Sequence, residues 1–184
     1  MVKAFIQNFS KPLKNKRGML TIEYVMSFMI LIMLISFIYD LTLVVVQRNR
    51  ATSILQSMTR VVQVQSGVER KIPDYFPSVG NSYLKSDVFE ANSKRLLEAV
   101  GIDPKTVVVE IIGTSANGTP INTVVTPVSD IQLKYKAPFT VKLTYRYSFS
   151  LWSQFVPGLE NCEQVLTAVG YSEYKQDYDK WEGE

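Results

Sequence analysis

The stretch that decides the fold is Lys14-Asn15-Lys16-Arg17-Gly18-Met19-Leu20-Thr21-Ile22-Glu23-Tyr24, with the apolar run behind it. A basic cluster ends at a single Gly. Four residues separate that Gly from one carboxylate, Glu23, and residues 25–39 then carry no charge. A carboxyl group at the mouth of a membrane-length segment is unfavourable unless something uses it. Even the lenient insertion scale gives about +2.5 to +3.5 kcal/mol for Asp at the centre of a bilayer, and less near an interface.

Outward from Glu23, residues 24–46 hold one charge, Asp40, and otherwise only Ser27, Ser36 and Thr42 as polar positions. At ~1.5 Å per residue this segment is about 34 Å long, enough to cross a ~30 Å hydrocarbon core with some tilt. A buried core helix of that length would show a polar face, and this one does not. With no Pro between Pro12 and Pro73 and no Gly between Gly18 and Gly67, the helix is expected to run from Met19 to about Ser66. Past the apolar run come Gln47, Arg48, Asn49 and Arg50. Then Ile54, Leu55, Met58, Val61, Val62 and Gln65 recur at three- and four-residue spacing, a stripe that must pack on a domain. Gly67 is the expected helix stop.

Charge is uneven along the 184 residues. Lys3, Lys11, Lys14, Lys16 and Arg17 occupy residues 1–18 with no acid among them, which leaves 15 basic against 17 acidic residues in the remainder. Such a leader keeps the N-terminus cytoplasmic by the positive-inside rule and puts the bulk of the chain outside. Without a basic patch on the domain, no nucleic acid is expected as a partner. The chain has no His, which excludes His-based triads and His metal ligands, and no cofactor is implied. Its one Cys, Cys162, cannot close an intramolecular disulfide and is expected to be a buried thiol.

The rest of the chain reads as a small α+β domain. Residues 72–84 hold Pro73, Pro77 and Gly80 and read as a loop. Asp87 with Glu90 resembles a capping box opening an amphipathic helix that ends at Gly101. Strands are expected at 106–112 and 121–126 around the Asn117-Gly118 hairpin turn, at 131–135, at 139–151 and at 165–174. In the strand at 139–151, Phe139, Val141, Leu143, Tyr145, Tyr147 and Phe149 share one face, read as core. The expected division is residues 1–18 as leader, 19–46 as transmembrane helix, 47–66 as its continuation outside, 67–174 as the α+β domain and 175–184 as a charged tail. The fold class is therefore α+β: a long N-terminal helix packed on a small antiparallel sheet.

Gly18, four residues, then Glu23 at the head of a long apolar helix resembles a type IV prepilin. The pair Glu23-Tyr24 within Arg17-Gly18-Met19-Leu20-Thr21-Ile22-Glu23-Tyr24 is closest to the TadE-like pseudopilins of the tight-adherence branch. The resemblance covers about residues 14–50. It implies cleavage by a prepilin peptidase between Gly18 and Met19, with other pilin or pseudopilin subunits, an inner-membrane assembly platform and the membrane itself as partners, and no enzymatic activity. The single Cys and the absence of Pro in the anchor point to a minor pilin or pseudopilin. In that setting the Met19 ammonium of one subunit meets Glu23 of a neighbour; otherwise Glu23 sits at headgroup level and binds nothing. Asp40 is expected either at the outer interface or in a helix-bundle contact with Arg48 or Arg50 of a neighbour. The alternative is a single-pass signal-anchored protein whose domain binds a partner in the periplasm.

Overall fold

The computed structural model describes residues 16–72, 83–149 and 151–173, with the backbone alone at residues 16–19. The tail at 175–184, most of the loop at 72–84 and the first fifteen residues of the leader lie outside the described residues.

One helix dominates. α1 (Lys16–Gln65) is continuous for 50 residues, about 75 Å at ~1.5 Å per residue. It begins three residues before the expected start, so Gly18 lies within it. From Leu20 it is long and apolar enough to cross a membrane, and only 6 % of its most apolar 18-residue window is buried by the rest of the protein. That exposure separates it from a core helix of the same length. Two hydroxyls in the apolar part are satisfied inside the helix: Ser36 Oγ donates to the Ile32 carbonyl at 2.9 Å and Thr42 Oγ1 to the Ile38 carbonyl at 2.8 Å.

After α1 come β1 (Gly67–Val68), α2 (Ser86–Glu98), β2 (Val108–Thr114), β3 (Pro120–Val124), β4 (Ile131–Gln132), β5 (Pro138–Tyr147) and β6 (Cys162–Tyr171). Single 3-10 turns occupy Pro104–Thr106 and Trp152–Gln154. The main sheet has the order β3-β2-β5-β6, antiparallel throughout, and β1 pairs with β4 in a second, two-stranded sheet. The β2–β3 hairpin turns at Gly118, whose φ is +83°.

Core formation follows the two periods. On β5, Phe139, Val141, Leu143 and Tyr145 are all buried, as the alternation requires. On α1, Ala51, Leu55, Met58 and Val62 are buried against them, with Ile54 and Val61 packed alongside. Each such Leu, Val or Phe contributes about 1.5–3 kcal/mol by leaving water. Gly170 of β6 lets this layer close: a Cβ there would meet the Phe139 ring at 2.7 Å and Thr59 Cγ2 at 3.2 Å.

Several local expectations are corrected. Ser66, at φ +54°, takes the left-handed turn at the end of α1, and Gly67 at φ +147° opens β1. A Cβ on Gly67 would fall 1.9 Å from the Ile131 carbonyl oxygen, so the close approach of β4 requires Gly there. The Ser66 carbonyl accepts from Leu133 N at 2.8 Å, the Gln63 carbonyl accepts from Glu173 N at 3.0 Å, and the Ser172 hydroxyl donates to Ser66 Oγ at 2.6 Å. Carbonyls that a helix end would leave open are thereby satisfied. The capping box is not formed. Lys85 occupies the N-cap of α2 without a side-chain bond, Asp87 is the second residue of the first turn and accepts from Val88 N, and Ser86 Oγ donates to the Pro127 carbonyl. At its other end α2 closes as expected. Gly101 N bonds the Glu98 carbonyl and Ile102 N the Leu97 carbonyl, with Leu97 and Ile102 both buried, which is the Schellman arrangement. β4 is two residues long where five were expected, β5 stops at Tyr147, and β6 starts at Cys162.

Tyr145 and Tyr83 are both buried, and burial raises both phenol pKa values above the ordinary 10.0; Arg48 partly opposes this at Tyr145, and the Glu69 charge reinforces it at Tyr83. The folded state therefore keeps protons that the unfolded chain releases as pH passes about 10, so this stability is full below that pH and lost above it. In an alkaline titration of the detergent-solubilised protein, Tyr83 and Tyr145 should ionise only as the β-sheet circular dichroism is lost. Ionisation of every tyrosine with the sheet intact would contradict the burial argument.

Candidate functional site

Two carboxyl-bearing positions on α1 define the candidate site, and the helix gives them opposite surroundings. Gly18, Met19, Glu23 and Tyr24 lie in its first three turns. Glu23 is exposed, and Tyr24 is 75 % exposed. Met19 and Glu23 are about 6 Å apart along the axis at ~1.5 Å per residue. Among the described residues Glu23 has no ion-pair partner. The carboxyl group is thus presented outward from a helix whose surrounding surface, including Leu20, Ile22, Val25 and Met26, is apolar and bare.

Asp40, five turns further on, is 1 % exposed, although its neighbours Ile38 and Tyr39 are 62 % and 56 % exposed. Its Oδ2 accepts the backbone N–H of Leu151 at 2.9 Å and of Trp152 at 3.0 Å. Those are the first amides of the 3-10 turn Trp152–Gln154, and the Trp152 ring packs edge-on against Phe37 with centroids 5.3 Å apart. A carboxyl oxygen held by two peptide N–H groups at the start of a helical turn is a capping interaction, supplied here from 111 residues away. The sequence reading left Asp40 either at the outer interface or toward a neighbour's Arg48 or Arg50. The structure gives it partners in its own chain, while Arg48 lies close enough to Tyr145 to lower the pKa of that phenol.

The same side of α1 continues from Asp40 through Val44, Gln47, Ala51, Leu55, Met58 and Val62 to Gln65, at spacings of three and four. Gln47 donates Nε2 to the Gly101 carbonyl at 3.3 Å, tying α1 to the end of α2. Asp40 is therefore the first buried residue of the stripe on which the domain sits. Sequence reasoning missed the joining of Asp40 to residues 151–152. The available signals were a single carboxyl group inside an apolar run and a distant segment containing Trp152, and no spacing connects them.

Cys162, expected to be buried, is half-buried at the start of β6, with Sγ 3.7 Å from the Gly158 carbonyl oxygen. Among the described residues no group of three or more His, Cys, Asp or Glu side chains is placed to hold a metal ion. The chain matches no family model, no curated protein and no solved structure. What the fold and site define is an antiparallel α+β domain carried on a helix of membrane-crossing length, with one carboxyl group exposed at its head and a second clasped where the domain begins.

Asp40→Ala should leave the Leu151 and Trp152 amides without their acceptor, at about 1–3 kcal/mol for a buried donor left unmade. Hydrogen exchange at those two amides should accelerate about tenfold to a hundredfold, while exchange in β5 stays unchanged. Asp40→Asn, which keeps one acceptor oxygen, should fall between. Equal protection in wild type and Asp40→Ala would show that the clasp does not hold the turn.

Proposed function

We propose that this chain is a minor pilin or pseudopilin subunit of a type IV-like or tight-adherence pilus or secretion apparatus. It is processed by a prepilin peptidase after Gly18, held in the bacterial inner membrane by a single span, and assembled through α1. Its N-terminus is cytoplasmic and its domain periplasmic until the subunit enters the assembly. Its role is structural.

The observation that carries this reading is the division of one unbroken helix into two halves. Residues 20–35 are exposed throughout, Phe37 meets Trp152 at the boundary, and residues 40–65 carry the domain. A subunit that assembles by helix packing needs its anchoring half free of its own domain, so that the same surface can leave lipid and meet other helices. The exposed Glu23 supports the reading further, because a carboxyl group with no partner among the described residues is available to a neighbour's Met19 ammonium. Within a low-dielectric helix bundle, such a pair offsets the cost of carrying Glu23 into the apolar layer and fixes axial register.

Gly18→Val should block processing, because a β-branched side chain replaces a hydrogen at the cleaved bond. N-terminal sequencing of the membrane-fraction protein should then find Met19 in wild type and Met1 in the variant. Met1 in wild type would instead favour a signal-anchored protein that binds a partner through its domain.

Glu23→Ala and Glu23→Gln should be inserted and cleaved but should fail to co-purify with the assembled apparatus. Each leaves a neighbour's ammonium buried without its partner, at about 3–5 kcal/mol by analogy with broken buried pairs. Glu23→Asp should be intermediate, its charge kept and its reach shortened. Wild-type assembly of Glu23→Ala, with cleavage intact, would rule out the ion pair.

A further inference from the structure

From Tyr147 to Leu159 the sequence Tyr-Ser-Phe-Ser-Leu-Trp-Ser-Gln-Phe-Val-Pro-Gly-Leu has no charge, although it connects two exposed-edge positions, Arg146 and Glu160. Its tip is apolar and open: Phe155 is 72 % exposed, Leu151 43 % and Val156 39 %. A loop of this kind is ordinarily polar. It also lies against the apolar half of α1, with Trp152 between Phe37 and Phe155. The root of the loop, at Arg146, Glu160 and Asn161, lines one groove with Gln47, the residue at which α1 turns polar. Helix and loop thus change from polar to apolar at the same level.

We propose that the loop at residues 151–156 is a second membrane-contacting element, set into the lipid of the leaflet on the domain side beside the span. This rests on the single-span reading of α1. The stretch between Arg17 and Arg48, which holds no basic residue, is about 45 Å at ~1.5 Å per residue, the thickness of a bilayer with its headgroups. Centred on that stretch, Phe37 and Asp40 fall within the outer part of the hydrocarbon, roughly 7–11 Å from the midplane at ~1.5 Å per residue. The Trp152 ring is held at that depth by Phe37. Irregular backbone is tolerated there only where protein groups satisfy its N–H donors, and Asp40 does this for Leu151 and Trp152. The arrangement is reciprocal, since the same two amides give Asp40 its partners in a layer where a bare carboxyl group is unfavourable. Trp and Phe, with no charged neighbour in the loop, suit burial in the acyl-chain region below the headgroups. Within the tip only Ser153 and Gln154 are polar and neither is charged, so lipid is the occupant the loop fits.

The test is quenching of Trp152 in the full chain reconstituted into phosphatidylcholine vesicles, with Trp181→Phe removing the other tryptophan. Lipids brominated near the middle of the acyl chain should quench Trp152 more than lipids brominated at the methyl end. Phe155→Asp, a change at an exposed position, should reduce that quenching. Met33→Trp, in a chain carrying Trp152→Phe and Trp181→Phe, reports the span independently and should be quenched most by the methyl-end lipid. Quenching of Met33→Trp without quenching of Trp152 would overturn the loop insertion and leave the span intact. Quenching of neither would overturn both. Shielding of Trp152 that appears only at high protein-to-lipid ratio would assign the tip to a second copy of the chain and overturn lipid contact.

Discussion

The structure depends on the stripe of α1 that begins at Asp40. Because the helix is unbroken from Lys16 to Gln65, the direction in which the domain holds its second half fixes the direction of the first. The hold is made at both ends. At the far end, Ser66 and Gln63 bond to Leu133, Ser172 and Glu173, so the last turn is joined to the strand connections beyond β4 and β6. At the near end, the last hydrogen bonds before the bare segment are those of Asp40 with the 151–152 amides, and Phe37 meets Trp152 just beyond them. Between them the Ala51, Leu55, Met58 and Val62 side chains meet the apolar face of β5. Without the Asp40 contact the packed stripe would begin about a turn or more later, at Val44 or Gln47, at 3.6 residues per turn.

How much of this was legible can be judged from individual residues. The stripe at Leu55, Met58 and Val62 was readable because polar residues separate its apolar positions. Its continuation was not, for two opposite reasons. Val44 sits in a run where every neighbour is also apolar, so no period shows. Asp40 and Gln47 are polar, so a hydrophobic pattern counts them against burial. Both are buried or half-buried because each finds a backbone partner, the 151–152 amides and the Gly101 carbonyl, and such partners come from distant segments. The strand at β5 was legible from its alternation, but its end was not: Phe149 continues the alternation and is buried although β5 has ended at Tyr147. The left-handed residue at the end of α1 was assigned to Gly67 on propensity, whereas the chain places it at Ser66 and needs Gly67 for the approach of Ile131. Local preference identified the break in the helix; tertiary contact decided which residue turned.

The two carboxyl groups of the apolar segment differ in where their partners come from. Both face the same penalty, since each lies on a helix that is otherwise suited to lipid. Asp40 has its partners supplied by the fold, so its cost is met in the isolated subunit. Glu23 has no ion-pair partner among the described residues, and its surroundings are apolar. A residue in that position raises the free energy of the monomer relative to any state that provides a cation. Under the proposed assembly Glu23 is the residue that could favour association without altering the domain, whereas an outside partner at Asp40 would have to displace two existing hydrogen bonds. A competing contact at Asp40 would need to offset the loss of both hydrogen bonds before it contributed anything. The sequence spaces the two acids 17 residues apart on one helix; burial separates the one held by its own fold from the one that the proposed assembly would pair with a neighbour.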